Sequence, residues 1–223
     1  MNLAAPQSPP AIVRHLRADE RALRTTTGAT FVAFARDRQL VIRTLARNAT
    51  EAAAVVKLAP GERDDVAVRR DLNELSAGSP PQVGGVSVGT ALHAGTILSF
   101  YREAQRRFGI RWELLAAINF VESDFGRART TAKADAQGPM QFEPATWREY
   151  GLGGDVYDEH DAILAAANLL AANGGRTNER AALKHYNLSP LYWDAVLHLA
   201  HRMSTVPTAF REYYAWRLYL RKS

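Results

Sequence analysis

The chain has 223 residues, with 28 basic and 23 acidic side chains for a net charge of +5, and no cysteine. That length accommodates one good core and a further element, while the absence of thiols excludes a disulfide framework, iron–sulfur clusters and thiol catalysis. The positive balance suits an anionic polymer, but the basic residues are mostly arginines scattered on helix faces with acids between them, so a solvated helical surface explains them better than nucleic-acid binding.

Residues 1–10, Met1-Asn-Leu-Ala-Ala-Pro-Gln-Ser-Pro-Pro10, read as a flexible terminus without the basic and hydrophobic regions of a secretion signal. Helices are predicted over 11–25 and about 30–58, separated at Thr25-Thr-Thr-Gly28. Phe31, Phe34, Ile42, Leu45, Ala49 and Val56 recur at near-helical spacing in the second of them. A third helical piece, 62–76, follows Pro60-Gly61. Residues 77–89, rich in turn formers, read as a linker to a second region spanning 90–223.

That second region is predicted to carry helices at 90–108, 112–124, 144–150, 159–172, 178–186, 190–203 and 207–220, which makes the protein all-α. Asp158, with Asp161 three residues on, reads as an N-terminal cap, so these acids are structural. Asn173-Gly174 ends that helix. The final segment, Phe210 to Leu220, has aromatics nearly all round and is expected to pack against the amino-terminal helices. No run of 18 apolar residues is present, so no membrane span is expected. His93, His160, His185, His198 and His201 show no metal-ligand spacing with carboxylates, and no Walker loop or dinucleotide fingerprint occurs. Neither a metal nor a cofactor is expected.

The most informative residue is Glu122, in Trp112-Glu-Leu-Leu-Ala-Ala-Ile-Asn-Phe-Val-Glu-Ser-Asp-Phe-Gly126. At helical period it shares a face with Leu115 and Ile118. A carboxylate on an apolar stripe costs several kcal/mol unless paired or protonated, and burial raises its pKa toward that of a general acid. The alternative reading is a fraying helix end with Glu122 in solvent. A second segment, Gln137-Gly-Pro-Met-Gln-Phe-Glu-Pro-Ala-Thr-Trp147, places Met140-Gln141-Phe142 on a short rigid connector between the Gly138-Pro139 turn and a helix opening at Pro144. A third, Ala181-Ala-Leu-Lys-His-Tyr-Asn187, is a helix closing on Tyr186-Asn187 before Ser189-Pro190 opens the next.

In this order and spacing the three segments resemble the lysozyme-like domain of lytic transglycosylases, over about residues 90–203. Gly138-Pro-Met-Gln-Phe-x-Pro-Ala-Thr-Trp147, Val156 to Ile163 and Tyr186 to Leu197 look like the cell-wall subgroup related to membrane-bound lytic transglycosylase B. The resemblance implies a lysozyme-like helical catalytic domain with an additional amino-terminal helical region, and activity on peptidoglycan. It implies that Glu122 is the catalytic acid and that Ser123 contacts the sugar beside the scissile bond. Gly138, Met140, Gln141 and Phe142 would line the cleft floor. Tyr186 would hydrogen-bond and position the acid, and Asn187 would support the helix end or contact substrate. Two departures stand out: Glu143 replaces a usually apolar residue, and the stretch Gly151–Asp155 is shorter than usual.

Ordinary glycosidases need two carboxylates. Asp124 points away from Glu122 around the helix, Asp135 is fixed by nothing near it, and Glu143 reads as a solvated helix start. With one acid, the second group must come from the substrate, giving 1,6-anhydro-N-acetylmuramic acid ends. A lysozyme-type hydrolase on the same fold and a non-catalytic wall-binding scaffold are the alternatives. Such an enzyme works outside the cytoplasm, in the bacterial envelope or secreted, which predicts a leader or anchor missing from this chain or, as the alternative, another route of delivery. Residues 11–76 belong to no family identified from their sequence. They are expected to be a scaffold packed on the catalytic domain or, less simply, a module for a cell-wall partner.

Overall fold

Pro9 at the first turn of α1 (Pro9–Thr25) has no amide hydrogen to lose, and Ile12, Val13, Leu16 and Leu23 then recur on one buried face. The computed structural model describes residues 8–78, 86–130 and 136–217. α2 (Gly28–Leu45) follows a break at Thr26 and Thr27 and lies against α1. The single helix predicted over 30–58 is in fact two, α2 and α3 (Ala49–Leu58). Asn48 is the reason: its side chain accepts from the Glu51 amide at 3.1 Å, the bond that starts a helix rather than continuing one. A 3₁₀ turn at Pro60–Glu62 leads into α4 (Arg63–Gly78).

Of the predicted linker, residues 79–85 lie outside the described residues. Val86–Val88 forms a strand, β1, that the turn-rich sequence did not suggest. It pairs antiparallel with β2 (Ala128–Thr130), Ser87 opposite Arg129. The remaining helices are α5 (Ala94–Phe108), α6 (Trp112–Ser123), α7 (Pro144–Tyr150), α8 (Glu159–Ala172), α9 (Glu179–Leu183), α10 (Pro190–Thr205) and α11 (Ala209–Ala215). α7 and α8 keep their predicted limits. α9 is shorter, because the chain turns at 184–186 and carries Tyr186 out of the helix. α11 gives way to extended backbone at Trp216, and the rest of the predicted last helix lies beyond the described residues.

α6 is buried without interruption from Leu114 to Asn119, as a helix at the centre of a bundle must be. α5, α8 and α10 surround it, and α4 runs along α10. Leu23, Phe31, Ala35 and Val68 from the amino-terminal helices join the core built on α6. A smaller apolar cluster, including Leu16, Ile42, Leu45 and Val55, fills the space among α1 to α4.

A buried ion-pair network fastens these helices to the rest. Arg38 on α2, fully buried, donates Nε to Glu212 at 2.7 Å and Nη2 to Glu62 and Asp65 at 2.5 and 2.6 Å. Arg202 on α10 meets the same Asp65 and Glu212 at 2.7 and 3.0 Å, and Tyr213 donates to Asp65. Burial pushes the Glu212 carboxyl up, while Asp65 is held below its usual range because Arg202 and Arg38 outweigh its burial. Removing one member of such a network strands the others without solvation. Arg38→Ala is therefore expected to lower stability by about 3–5 kcal/mol in urea unfolding. A loss below about 1 kcal/mol, the scale of a surface pair, would show that the network does not hold the two regions together.

Candidate functional site

α6 ends in an abrupt reversal. Asp124, Phe125 and Gly126 all lie in the left-handed region, with φ of 51°, 60° and 80°. The amides of Asp124 and Phe125 return to the carbonyls of Phe120 and Asn119, closing the helix one residue after Glu122-Ser123. Phe125 is driven into this conformation by burial among Phe120, Phe210 and Tyr214. The reversal leaves Glu122 on the last turn of a buried helix and partly open to the surface.

Its carboxyl is pushed up to about 7 by burial, opposed in part by a hydrogen bond from the Tyr192 hydroxyl to Oε1 at 2.6 Å. Tyr192 is itself 1 % exposed and its own ionisation is pushed far up by burial and by Glu122, so it remains a donor. Among the described residues no neighbouring charge shifts Glu122. Asp124 is also pushed up to about 7 by burial, but its charged neighbours are Arg127 and Arg69. Glu143 stands exposed at the N-cap position of α7, and its side chain makes no capping hydrogen bond. Asp135 lies outside the described residues.

The segment 137–142 is docked on α6 from one side and on the Tyr186 turn from the other. Ser123 Oγ donates to the Pro139 carbonyl at 2.6 Å, and Asn119 Nδ2 reaches the same oxygen at 2.9 Å. Tyr101 on α5 donates to Asn119 Oδ1 at 2.5 Å, which fixes that amide. Opposite, Tyr186 Oη donates to the Met140 carbonyl at 2.9 Å. The Gly138 carbonyl accepts from the Gln141 side chain at 2.6 Å and from its amide at 3.1 Å. Gly138, at φ 73°, has the Val156 carbonyl where a Cβ would sit, so no other residue fits there. Gln141 also lies in the left-handed region, at φ 50°, a conformation sustained by the bonds on either side of it. Beside this segment a groove of about 340 Å³ is lined by Gly126, Arg129, Gly138, Pro139, Tyr157 and Glu159.

Glu122 and Tyr186 thus flank Tyr192, and the loop that carries Gln141 is docked on Tyr186 and α6, but several roles inferred from the resemblance change. The hydrogen bond to the acid comes from Tyr192, not Tyr186. Tyr186 stacks on Tyr192 with ring centroids 6.4 Å apart and 10° between planes, and its own hydroxyl is committed to Met140. Ser123 is buried, and its hydroxyl also accepts from the Gly126 amide at 2.9 Å, so it holds the loop instead of facing a sugar. Met140 and Phe142 are buried and support the floor from beneath, with Phe142 against Trp147 and Tyr186. Asn187 caps the turn: Oδ1 accepts from the Ser189 amide at 2.9 Å and its carbonyl accepts from the Trp193 indole at 2.5 Å. Tyr192 and Asn119 carried no role in the sequence reading. Each sits on the buried face of its helix, where a polar group demands an internal partner, and that was the available signal. The histidines also differ from expectation. His160 lies near Asp158 and Asp161, and His15, which the spacing argument did not consider, lies near Asp19 and Asp37.

A central helix ending on a raised glutamate, a tyrosine donor and a docked Gly-x-Met-Gln-Phe turn make up the candidate site of this lysozyme-like bundle. Residues 99–193 match the family described as the transglycosylase SLT domain, and every cleft residue from Glu122 to Tyr192 falls within that span. The matched segment is similar to the transglycosylase domain of lytic transglycosylases of the lysozyme-like superfamily, enzymes that act on peptidoglycan. No curated protein and no solved structure matches the chain. The family assignment does not extend to a subgroup.

The raised carboxyl has a thermodynamic signature. Between its unfolded value of 4.5 and about 7 the folded chain retains a proton that the unfolded chain has lost. The associated stability is complete below 4.5 and is lost as pH rises through about 7. Glu122→Gln, which does not titrate, should match the parent near pH 4 and exceed it above pH 7 by about 1–3 kcal/mol in paired denaturant curves. A difference independent of pH would mean that the carboxyl is not desolvated.

Tyr192→Phe makes a second test of the same pair. Loss of a donor to the ionised carboxylate raises the Glu122 pKa further. The alkaline limb of the cleavage pH profile should move upward while turnover falls. An unchanged limb would separate Tyr192 from the acid.

Proposed function

We propose that the enzyme cleaves the β-1,4 bond between N-acetylmuramic acid and N-acetylglucosamine without consuming water, with Glu122 as both acid and base. The observation that carries this reading is a glutamate raised to about 7, held by one tyrosine hydroxyl and shifted by no charged neighbour among the described residues. Near neutrality such a group is present in both protonation states, which a two-stroke mechanism requires.

In the first stroke Glu122 gives its proton to the glycosidic oxygen as that bond to the muramoyl anomeric carbon breaks. The 2-acetamido oxygen of the same sugar bonds to the carbon and takes the place of a protein nucleophile. In the second stroke the Glu122 carboxylate removes the proton from the O6 hydroxyl. O6 then displaces the acetamido oxygen, closing the 1,6-anhydro ring and returning the acid to its starting state. Both internal nucleophiles act at high effective concentration, whereas water would need a base at a defined position. Tyr192 orients the carboxylate in both strokes. Gln141, partly exposed at the crest of the loop, is the side chain best placed to meet the sugar. Ser123, Gly138, Met140, Phe142, Tyr186 and Asn187 fix the loop and its flanks.

Residues 11–76 serve in this reading as a scaffold. α4 braces α10, the helix that carries Tyr192, and α2 braces α11. The substrate places the reaction outside the cytoplasm, in the envelope or beyond it. No helix among the described residues is long and apolar enough to cross a membrane.

Glu122→Gln should retain fold and glycan binding but reduce cleavage of purified sacculi by at least about a hundredfold. Muropeptides released by the parent enzyme should end in 1,6-anhydro-N-acetylmuramic acid, each lighter by one water than its hydrolytic counterpart. A digest holding only reducing ends would make the enzyme a lysozyme-type hydrolase, and a fully active Gln variant would remove Glu122 from the chemistry.

A further inference from the structure

On α1, His15 and Asp19 stand one turn apart, and Asp37 faces them from α2, well outside the residues that form the cleft. His15 Nε2 lies 2.6 Å from Asp37 Oδ2 and 3.3 Å from Asp19 Oδ2, and the three ligand atoms all fall within 4.8 Å of one another. We propose that His15, Asp19 and Asp37 bind one divalent cation of the zinc class, which ties α1 to α2.

The hydrogen-bond inventory points to a missing positive partner. One ring nitrogen carries at most one hydrogen, and at 2.6 Å that hydrogen is directed to Asp37. Asp19 Oδ2 is then a buried oxygen aimed into the cluster with no hydrogen bond, on a residue only 4 % exposed. Its carboxyl is pushed up to about 6, chiefly by burial, with His15 and the more distant Arg38 charge opposing and the Asp37 and Glu212 charges adding to the rise. A protein interior does not leave such an atom bare without cost. A cation between the three groups satisfies Asp19 and relieves the repulsion between the two carboxylates.

Donor type and spacing select the ion. Zinc takes imidazole nitrogen and carboxylate oxygen at about 2.0–2.2 Å, and in a tetrahedral shell neighbouring donors then sit about 3.3 Å apart. The His15–Asp19 pair already stands at 3.3 Å. The His15–Asp37 pair is closer because it is hydrogen-bonded, and it must open when the ring hydrogen is replaced by metal. Asp37 has the freedom to do so, since its side chain is 35 % exposed. Its open side faces a groove of about 530 Å³ lined by residues that include Ala33, Arg36 and Leu40, which admits water as a fourth ligand. Calcium and magnesium prefer more oxygens and no imidazole, so the same site rejects them. The second histidine cluster, Asp158 with His160 and Asp161, lies at an exposed helix start whose Asp158 already caps the Asp161 amide, and it serves as the control.

The test is calorimetric titration of the full chain, stripped with chelator, with zinc and in parallel with magnesium. One zinc per chain is expected, with no magnesium bound. At a hundredfold excess of zinc over Kd the melting temperature should rise by roughly 5–10 °C. Asp37→Asn, which retains an acceptor for His15 and thus the fold, should weaken binding at least about tenfold, as should His15→Asn, while His160→Asn should leave it unchanged. Circular dichroism confirms that each variant is folded. Failure of the parent chain to bind zinc one to one overturns the proposal, as does binding that survives both substitutions or disappears with His160→Asn.

Discussion

A guanidinium cut off from water must find its solvation inside the protein, and Arg38 finds it in three side chains from two separate places in the chain. Glu62 and Asp65 flank the start of α4, and Glu212 comes from α11. The last two also receive Arg202 of α10, so every helix that touches this knot is positioned by the same few charges. Ion pairs of this kind contribute more to uniqueness than to net stability, since an apolar replacement of equal shape could hold as well. Here the uniqueness concerns α10. α4 and the knot together set where α10 lies, and α10 presents Tyr192 to Glu122. The acid is thereby tied to helices outside the span of the catalytic family.

Within the cleft a division of labour follows from the geometry of one helix. α6 directs Asn119 and Ser123 toward the loop and Glu122 toward Tyr192. The polar residues that dock the loop are fully buried and saturated with partners, as groups removed from water must be. Glu122, the proposed acid, is left with one strong partner and partial exposure. The same local sequence, Glu-Ser at a helix end, therefore holds a saturated, buried residue and a half-open carboxyl side by side.

Much of this was legible in the sequence, and the exceptions have physical causes. Helices with strong punctuation were read to the residue, as with Pro144 opening α7, Gly151 closing it, and Asp158 capping α8. The break at Asn48 was missed because the apolar spacing of α2 runs on into α3 almost in phase, and a single cap decides the matter. The strand pair formed by β1 and β2 was invisible because three residues carry too little pattern. Glu122 stood out since a carboxylate interrupts an apolar stripe. Tyr192 did not, because a tyrosine on such a stripe looks like ordinary core until its hydroxyl is asked for a partner. The grouping of His15 with Asp37 joins residues 22 positions apart on different helices, which no spacing rule can reveal.

The carbonyls of Gly138, Pro139 and Met140 are all committed to donors from the protein itself. A turn with its backbone oxygens spoken for behaves as part of the core, although it lies at the surface of a cleft. The loop is thus ordered by its own bonds, and under the proposed function glycan association loses little conformational entropy to ordering it. On that reading, adaptation to strands of differing length or decoration falls instead to the exposed side chains nearby, Leu188 beside Asn187 and Tyr157 at the groove. Affinity can then vary at the rim while the alignment of the scissile bond with Glu122 stays fixed.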